Sequence, residues 1–148
     1  MQPSLSLLTG KTISHVWCGD YSALYLEIGE LFEGRAYGNG AAGNLCGEIT
    51  LYAGFDWRFD GPWSAFASDA LSAGRRKVVI SSLLGATISS AGLSSGGVEL
   101  TIATSTGVRL VTHSPTPLNP NWSVSFNAQN PGHMYIQNGL LRVERSGY

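Results

Sequence analysis

Hydrophobic and polar positions alternate over short runs along most of this chain, the signature of half-buried β-strands. In `ALYLEI`, Leu24, Leu26 and Ile28 point one way, and Tyr25 and Glu27 the other. `GEITLYAGFDWRF` is rich in β-branched and aromatic residues, and `VELTIAT` and `VRLVTH` flank the turn signal `STG`. `MYIQNGLLRV` places Asn138-Gly139 between two apolar runs, a strong hairpin signal because both residues tolerate the positive φ of a type I′ turn. `SPTPLNPNW` holds three prolines and reads as a loop or edge connection. One stretch has helical spacing. In `PWSAFASDALSAG`, the residues Trp63, Phe66, Ala67, Ala70 and Leu71 share a face, with Pro62 near the start and Gly74 as a stop, predicting a short helix near residues 63–73. The `RRK` that follows reads as a solvated edge whose charge suits the helix C-terminus.

A repeat organises these elements. `LTGKTISHV` at 8–16 matches `LLGATISSA` at 83–91, with Leu8, Gly10, Thr12, Ile13 and Ser14 recurring as Leu83, Gly85, Thr87, Ile88 and Ser89. Each copy precedes an alternating strand and then a tryptophan near a phenylalanine, Trp57 with Phe59 and Trp122 with Phe126. The expected fold class is α+β, mainly antiparallel β. A single domain over 1–148 is built of two fused meander-like halves, 1–78 and 79–148. Matching Leu31 with Leu110 puts an insertion of about 14 residues in the first half, around `YGNGAAG`, with the principle that long loops often carry function.

Composition narrows the function classes. The 148 residues suit one domain with a core that needs no staples. Hydrophobic residues are 43% and charged residues only 13%, so the chain is globular with a sparsely charged surface. The net charge of −1 gives no electrostatic support for nucleic-acid binding. The charge is unevenly spread. Residues 1–74 carry eight acidic and three basic side chains, whereas 75–148 carry two acidic and six basic. No basic leader or apolar span opens the sequence, so the expectation is a cytoplasmic protein with no membrane association. Cys18 and Cys46 form no C-x-x-C motif and are expected to be free thiols.

The chemical motifs fail their context tests. Gly38-Asn39-Gly40-Ala41-Ala42-Gly43 spells G-x-G-x-x-G, but β-type residues follow where a dinucleotide site needs a helix. Gly92-Leu93-Ser94-Ser95-Gly96 spells a nucleophile elbow, but an alternating strand follows it. His15, Cys18 and Asp20 would make a nucleophile, base and orienter only if the strand bends, since His15 and Cys18 otherwise face opposite ways. Asp56 and Asp60 would lie roughly 13 Å apart along an extended strand, too far for a glycosidase pair. Arg58 between them is expected on the opposite face, pairing with Glu48 or another acid. No catalytic, cofactor or metal residue is assigned, and no cofactor is expected.

The half-repeat, Leu-x-Gly then two strands then a tryptophan, resembles small bacterial domains of the immunity-protein type that accompany toxins. The resemblance implies a non-enzymatic protein-binding domain with a protein partner such as a basic toxin, met by complementary charge. The expected contact residues are Glu30, Glu33, Tyr37, Asp56, Arg58, Asp60 and Trp63. Trp63 and Tyr37, near turns, are better candidates for exposed aromatics than Trp17 or Trp122. The alternative is a carbohydrate- or small-ligand-binding β-domain using exposed aromatics. An enzyme is the third reading. A homodimer is a further expectation, because uncovered strand edges invite pairing.

Overall fold

A computed structural model describes residues 4–19, 22–33, 45–54, 56–94, 98–112, 122–128, 131–137 and 140–145. Eleven strands and one α-helix are described: β1 Ile13–Cys18, β2 Leu24–Ile28, β3 Ile49–Ala53, β4 Trp57–Asp60, β5 Ala65–Ala67, α1 Ala73–Leu83, β6 Ile88–Leu93, β7 Leu100–Thr104, β8 Arg109–Thr112, β9 Trp122–Phe126, β10 Gly132–Gln137 and β11 Leu140–Arg145. They form two antiparallel sheets, ordered β1-β2-β3-β9-β10-β11 and β5-β4-β8-β7-β6. The protein is thus mostly antiparallel β with one short helix.

Period-2 alternation explains the strands. In β2, β3, β7 and β9 every second residue is buried, and these side chains join one hydrophobic cluster shared by both sheets. Trp57, Trp122 and Phe59 are its largest fully buried members. Because a fully buried aromatic contributes about 1.5–3 kcal/mol, this cluster dominates the stability.

The connections cross between sheets. β1-β2-β3 runs as a meander in the first sheet, and β6-β7-β8 as a meander in the second. The hairpin after β3, β4–β5, adds to β8, while β9 and β10, after β8, add to β3. The starts of the two meanders touch at an antiparallel bridge between Thr12 and Thr87. Around it the same bonds occur twice: Gly10 N–H donates to the Ile88 carbonyl and Gly85 N–H to the Ile13 carbonyl, each at 2.8 Å. Both glycines have positive φ, +86° and +84°, which only glycine adopts without strain.

Three expectations change. The helix lies at Ala73–Leu83, about ten residues beyond the predicted position, with Ser72 accepting from the Arg75 N–H at its start. The residues given helical spacing instead form β5 and a 3-10 turn, because Phe66 pairs with Phe59 across a hairpin and stacks on it at 5.1 Å. `RRK` therefore occupies the first turns of α1, the wrong end for the helix dipole. There Arg75 lies over the Phe66 ring at 5.3 Å and donates to the Ala70 carbonyl at 2.9 Å. Finally, Leu110 pairs with Ile102 and Phe59, and Leu51 with Leu26 and Val124, whereas Leu31 lies outside the strands. The longer connection is β2–β3. Most of it, including `YGNGAAG`, lies outside the described residues, as do the Ser95-Gly96 end of the elbow motif, `SPTPLNPN` and Asn138-Gly139. The register Gln137↔Leu140 nonetheless leaves two residues between β10 and β11, as the hairpin signal requires.

Candidate functional site

Among the described residues, one concave feature is built from the tip of the β4–β5 hairpin. Gly61 N–H donates to the Ser64 carbonyl at 2.8 Å, closing a four-residue connection between Asp60 and Ala65. Pro62 fixes one backbone angle inside it. Trp63, at its apex, is 96% exposed, an extreme value for so large an apolar side chain. Beneath it a cleft of about 320 Å³ opens between this turn, α1 and the β7–β8 turn. Phe59 and Val108 form the floor, Val78 and Ser81 the helix wall, and Thr106 the far rim.

The chemistry of the cleft is plain. Its floor is apolar and its rim carries hydroxyls, with no ionisable side chain among the lining residues. Ser81 Oγ donates to the Val78 carbonyl of its own helix at 3.3 Å, and the Thr104 and Thr106 hydroxyls are 2.9 Å apart. The lining offers apolar contact at the floor and hydroxyl hydrogen-bonding groups at the rim. Among the described residues, no group of three or more His, Cys, Asp or Glu is placed to hold a metal ion. The volume suits one inserted side chain or a small ligand, at the low end of ordinary ligand sites.

The expected contact residues divide. Arg58, Asp60 and Trp63 share the β4–β5 arm. Trp57 and Phe59 point inward, so Arg58 and Asp60 are on the same outward face, contrary to the expectation that Arg58 opposes its acidic neighbours. Residues 56, 58 and 60 share a parity, and period 2 puts them on one side. Arg58 lies across from Val111, Asp60 across from Arg109. Glu48 instead pairs with Lys11, at 3.7 Å. Glu30 and Glu33 leave β2 past Ile28, whereas Asp56 follows β3 past Ala53, at the opposite end of the β2–β3 pair. The acids do not converge into one patch. Tyr37 lies outside the described residues.

Of the tryptophans, Trp63 alone is exposed: Trp57 and Trp122 are buried, and Trp17 is half-buried. Trp17 stacks on Tyr25 with centroids 3.7 Å apart on the outer face of the first sheet. His15 shares that outer face, opposite Glu27, while Cys18 packs toward the core, so the two diverge as the alternation predicts. Burial raises the Cys18 thiol pKa, and the charge of Arg76 partly offsets this. Neither cysteine is in a disulfide.

Sequence reasoning missed Glu27. Its outward position is as predicted, yet it is only 1% exposed. Its carboxylate accepts from the Trp17 indole N–H at 2.9 Å, from the Gly47 N–H at 3.2 Å and from the Thr50 hydroxyl. The Asn127 side chain closes the network, donating to the Gly47 carbonyl and to Thr50 Oγ1. The sole hint was an acid within an apolar strand, and its partners come from elements that only the fold assembles. The network ties β1, β2 and β3 together and, through Asn127, to the residue that follows β9.

Comparison with known proteins adds no further constraint. No family model, curated protein or solved structure matches the chain. No described helix is long and apolar enough to cross a membrane.

Proposed function

We propose that this is a non-enzymatic protein-binding domain whose contact surface centres on Trp63 and the cleft beneath it. One observation carries the reading: a tryptophan 96% exposed at the rim of an uncharged cleft. Tryptophan is enriched among residues that dominate binding energy, and such anchors work with a neighbouring pocket that receives the partner's side chain. Arg58 and Asp60 lie on the same arm but on its outward face, away from Phe59 at the cleft floor. The partner on this reading is a protein that presents an apolar side chain to the cleft. The immunity-like version, in which the partner is a basic toxin, assigns contacts to Glu30, Glu33 and Asp56 and acts in the cytoplasm, where cysteines outside a disulfide are the rule.

Parallel affinity capture with the wild-type chain and Trp63→Ala tests the proposal, followed by reconstitution of any complex from two purified components. A partner that loses roughly thirtyfold or more in affinity with Trp63→Ala supports it; a partner bound equally by both overturns the site. Charge reversal at Glu30, Glu33 and Asp56 tests the toxin version separately.

The second reading is a carbohydrate or small ligand in the same cleft, favoured by the hydroxyls of Ser81 and Thr106 beside an exposed aromatic. A change in Trp63 emission with sugars at millimolar concentration supports it, and silence across a glycan panel counts against it.

The chain is also read as two fused halves. The recurrent glycine bonds at the Thr12–Thr87 bridge support this, as does a matched pair of indole bonds from Trp57 to Ser22 and from Trp122 to Val98. Residue 78, the expected junction, lies within α1.

A further inference from the structure

We propose that the chain forms a two-fold dimer by antiparallel pairing of β11 with β11 of a second copy, centred on Val143. β11 is the last strand of the six-stranded sheet and, among the described residues, pairs on one side only, with β10. Its free edge presents backbone N–H and C=O groups over a six-residue strand, a template for another strand.

Its inner-facing side chains are incompletely covered. Val143 and Leu141 lie opposite Met134 and Ile136, which are buried, yet each is itself 41% exposed. They extend the core row past the point where the facing sheet covers it. A strand added beyond β11 would bury them.

The sequence `LLRVER` specifies the occupant as another copy of itself. A two-fold axis perpendicular to the sheet keeps inner faces together only when residues of the same parity pair. Centring on Val143 sets Val143 against Val143 on the inner face and Arg142 against Glu144 twice on the outer face. Centring on Arg142 opposes two arginines, and centring on Glu144 opposes two glutamates. Centring on Leu141 pairs Leu140 with Arg142 and forms no opposite-charge pair; because like charges directly opposite each other are destabilising and opposite charges stabilising, the Val143 register, with two such pairs, is selected. Glu144 is already held on the outer face, where its Oε1 accepts from the Tyr135 hydroxyl at 2.7 Å. The product is a continuous twelve-stranded sheet across two copies, six strands from each.

Sedimentation equilibrium and hydrogen exchange on the full chain test this. The wild type is expected at twice the chain mass at high micromolar concentration, with β11 amides more protected as concentration rises. Arg142→Glu and Glu144→Arg, each folded by circular dichroism, should each weaken the dimer roughly tenfold, since each sets like charges opposite twice. The double variant should restore it. A chain that stays monomeric overturns the proposal. So does a dimer that both reversals leave unchanged, or one whose β11 amides exchange independently of concentration; the exchange measurement needs no variant.

Discussion

Trp57 reaches from one sheet to the other: its indole N–H donates to the backbone carbonyl of Ser22, in the β1–β2 connection, at 2.7 Å. Trp122, in the first sheet, makes the reciprocal bond to Val98, just before β7, at 2.8 Å. Each ring fills the shared core while its one polar atom is satisfied on the opposite sheet. Trp57→Phe and Trp122→Phe each delete a donor and part of a buried ring. Each should cost roughly 2–3 kcal/mol in urea unfolding. Similar costs are expected because the environments match; a variant with no loss would deny that the bond couples the sheets.

Glu27 should be among the least replaceable surface-side residues of the first sheet. Glu27→Gln keeps the shape but turns one acceptor into an NH₂ group, facing N–H and O–H donors that then lack a partner. A loss of about 1–3 kcal/mol is expected, measured by chemical denaturation. A neutral result would mean that Trp17, Gly47 and Thr50 find other acceptors.

Gly47 is required by close approach. A Cβ there would come within 2.5 Å of the backbone N and O of Ile28. Gly47→Ala should therefore destabilise by about 1–3 kcal/mol, as overpacking does. Gly92, with nothing within 4 Å of a built Cβ, is the control, and Gly92→Ala should be close to neutral.

The pKa of the Cys18 thiol is raised chiefly by burial, so its thiolate fraction at mildly alkaline pH is below that of an ordinary cysteine. Alkylation of Cys18 should be slow and should accelerate only as pH climbs past the usual thiol range. Arg76 lowers the pKa, so Arg76→Ala should raise it further and slow the reaction at fixed pH. Mass spectrometry of the modified peptide over a pH series reads both effects. Faster modification in the variant would reverse the assigned sign.

Much of the β architecture was legible because burial follows period 2 so closely. Leu24, Leu26 and Ile28 are inward as read, and so are Leu100 and Ile102. The helix was misplaced because Phe66 satisfies helical spacing and cross-strand pairing equally, and only its contact with Phe59 decides between them. The exposure of Trp63 followed from its place after Gly61-Pro62, a turn signal. The cleft did not, because Val78, Thr106 and Phe59 meet through three elements distant in sequence. The acidic contact residues do not share one end of the sheet, because β2 and β3 run antiparallel between Glu30 and Asp56.

Trp63 itself should be nearly irrelevant to folding. A side chain 96% exposed buries almost nothing, so Trp63→Ala should change stability by within about 0.5 kcal/mol. Its emission should be red-shifted and readily quenched by acrylamide, unlike that of buried Trp57 and Trp122. A blue-shifted, protected signal assigned to Trp63 would contradict the exposure.

The most direct test of Trp63 as the binding anchor is the affinity of the reconstituted complex for the wild-type chain and for Trp63→Ala, by titration calorimetry. A loss of at least about 2 kcal/mol, with the melting temperature unchanged, is the predicted result for a hot-spot residue. Equal affinity of the two chains would contradict it.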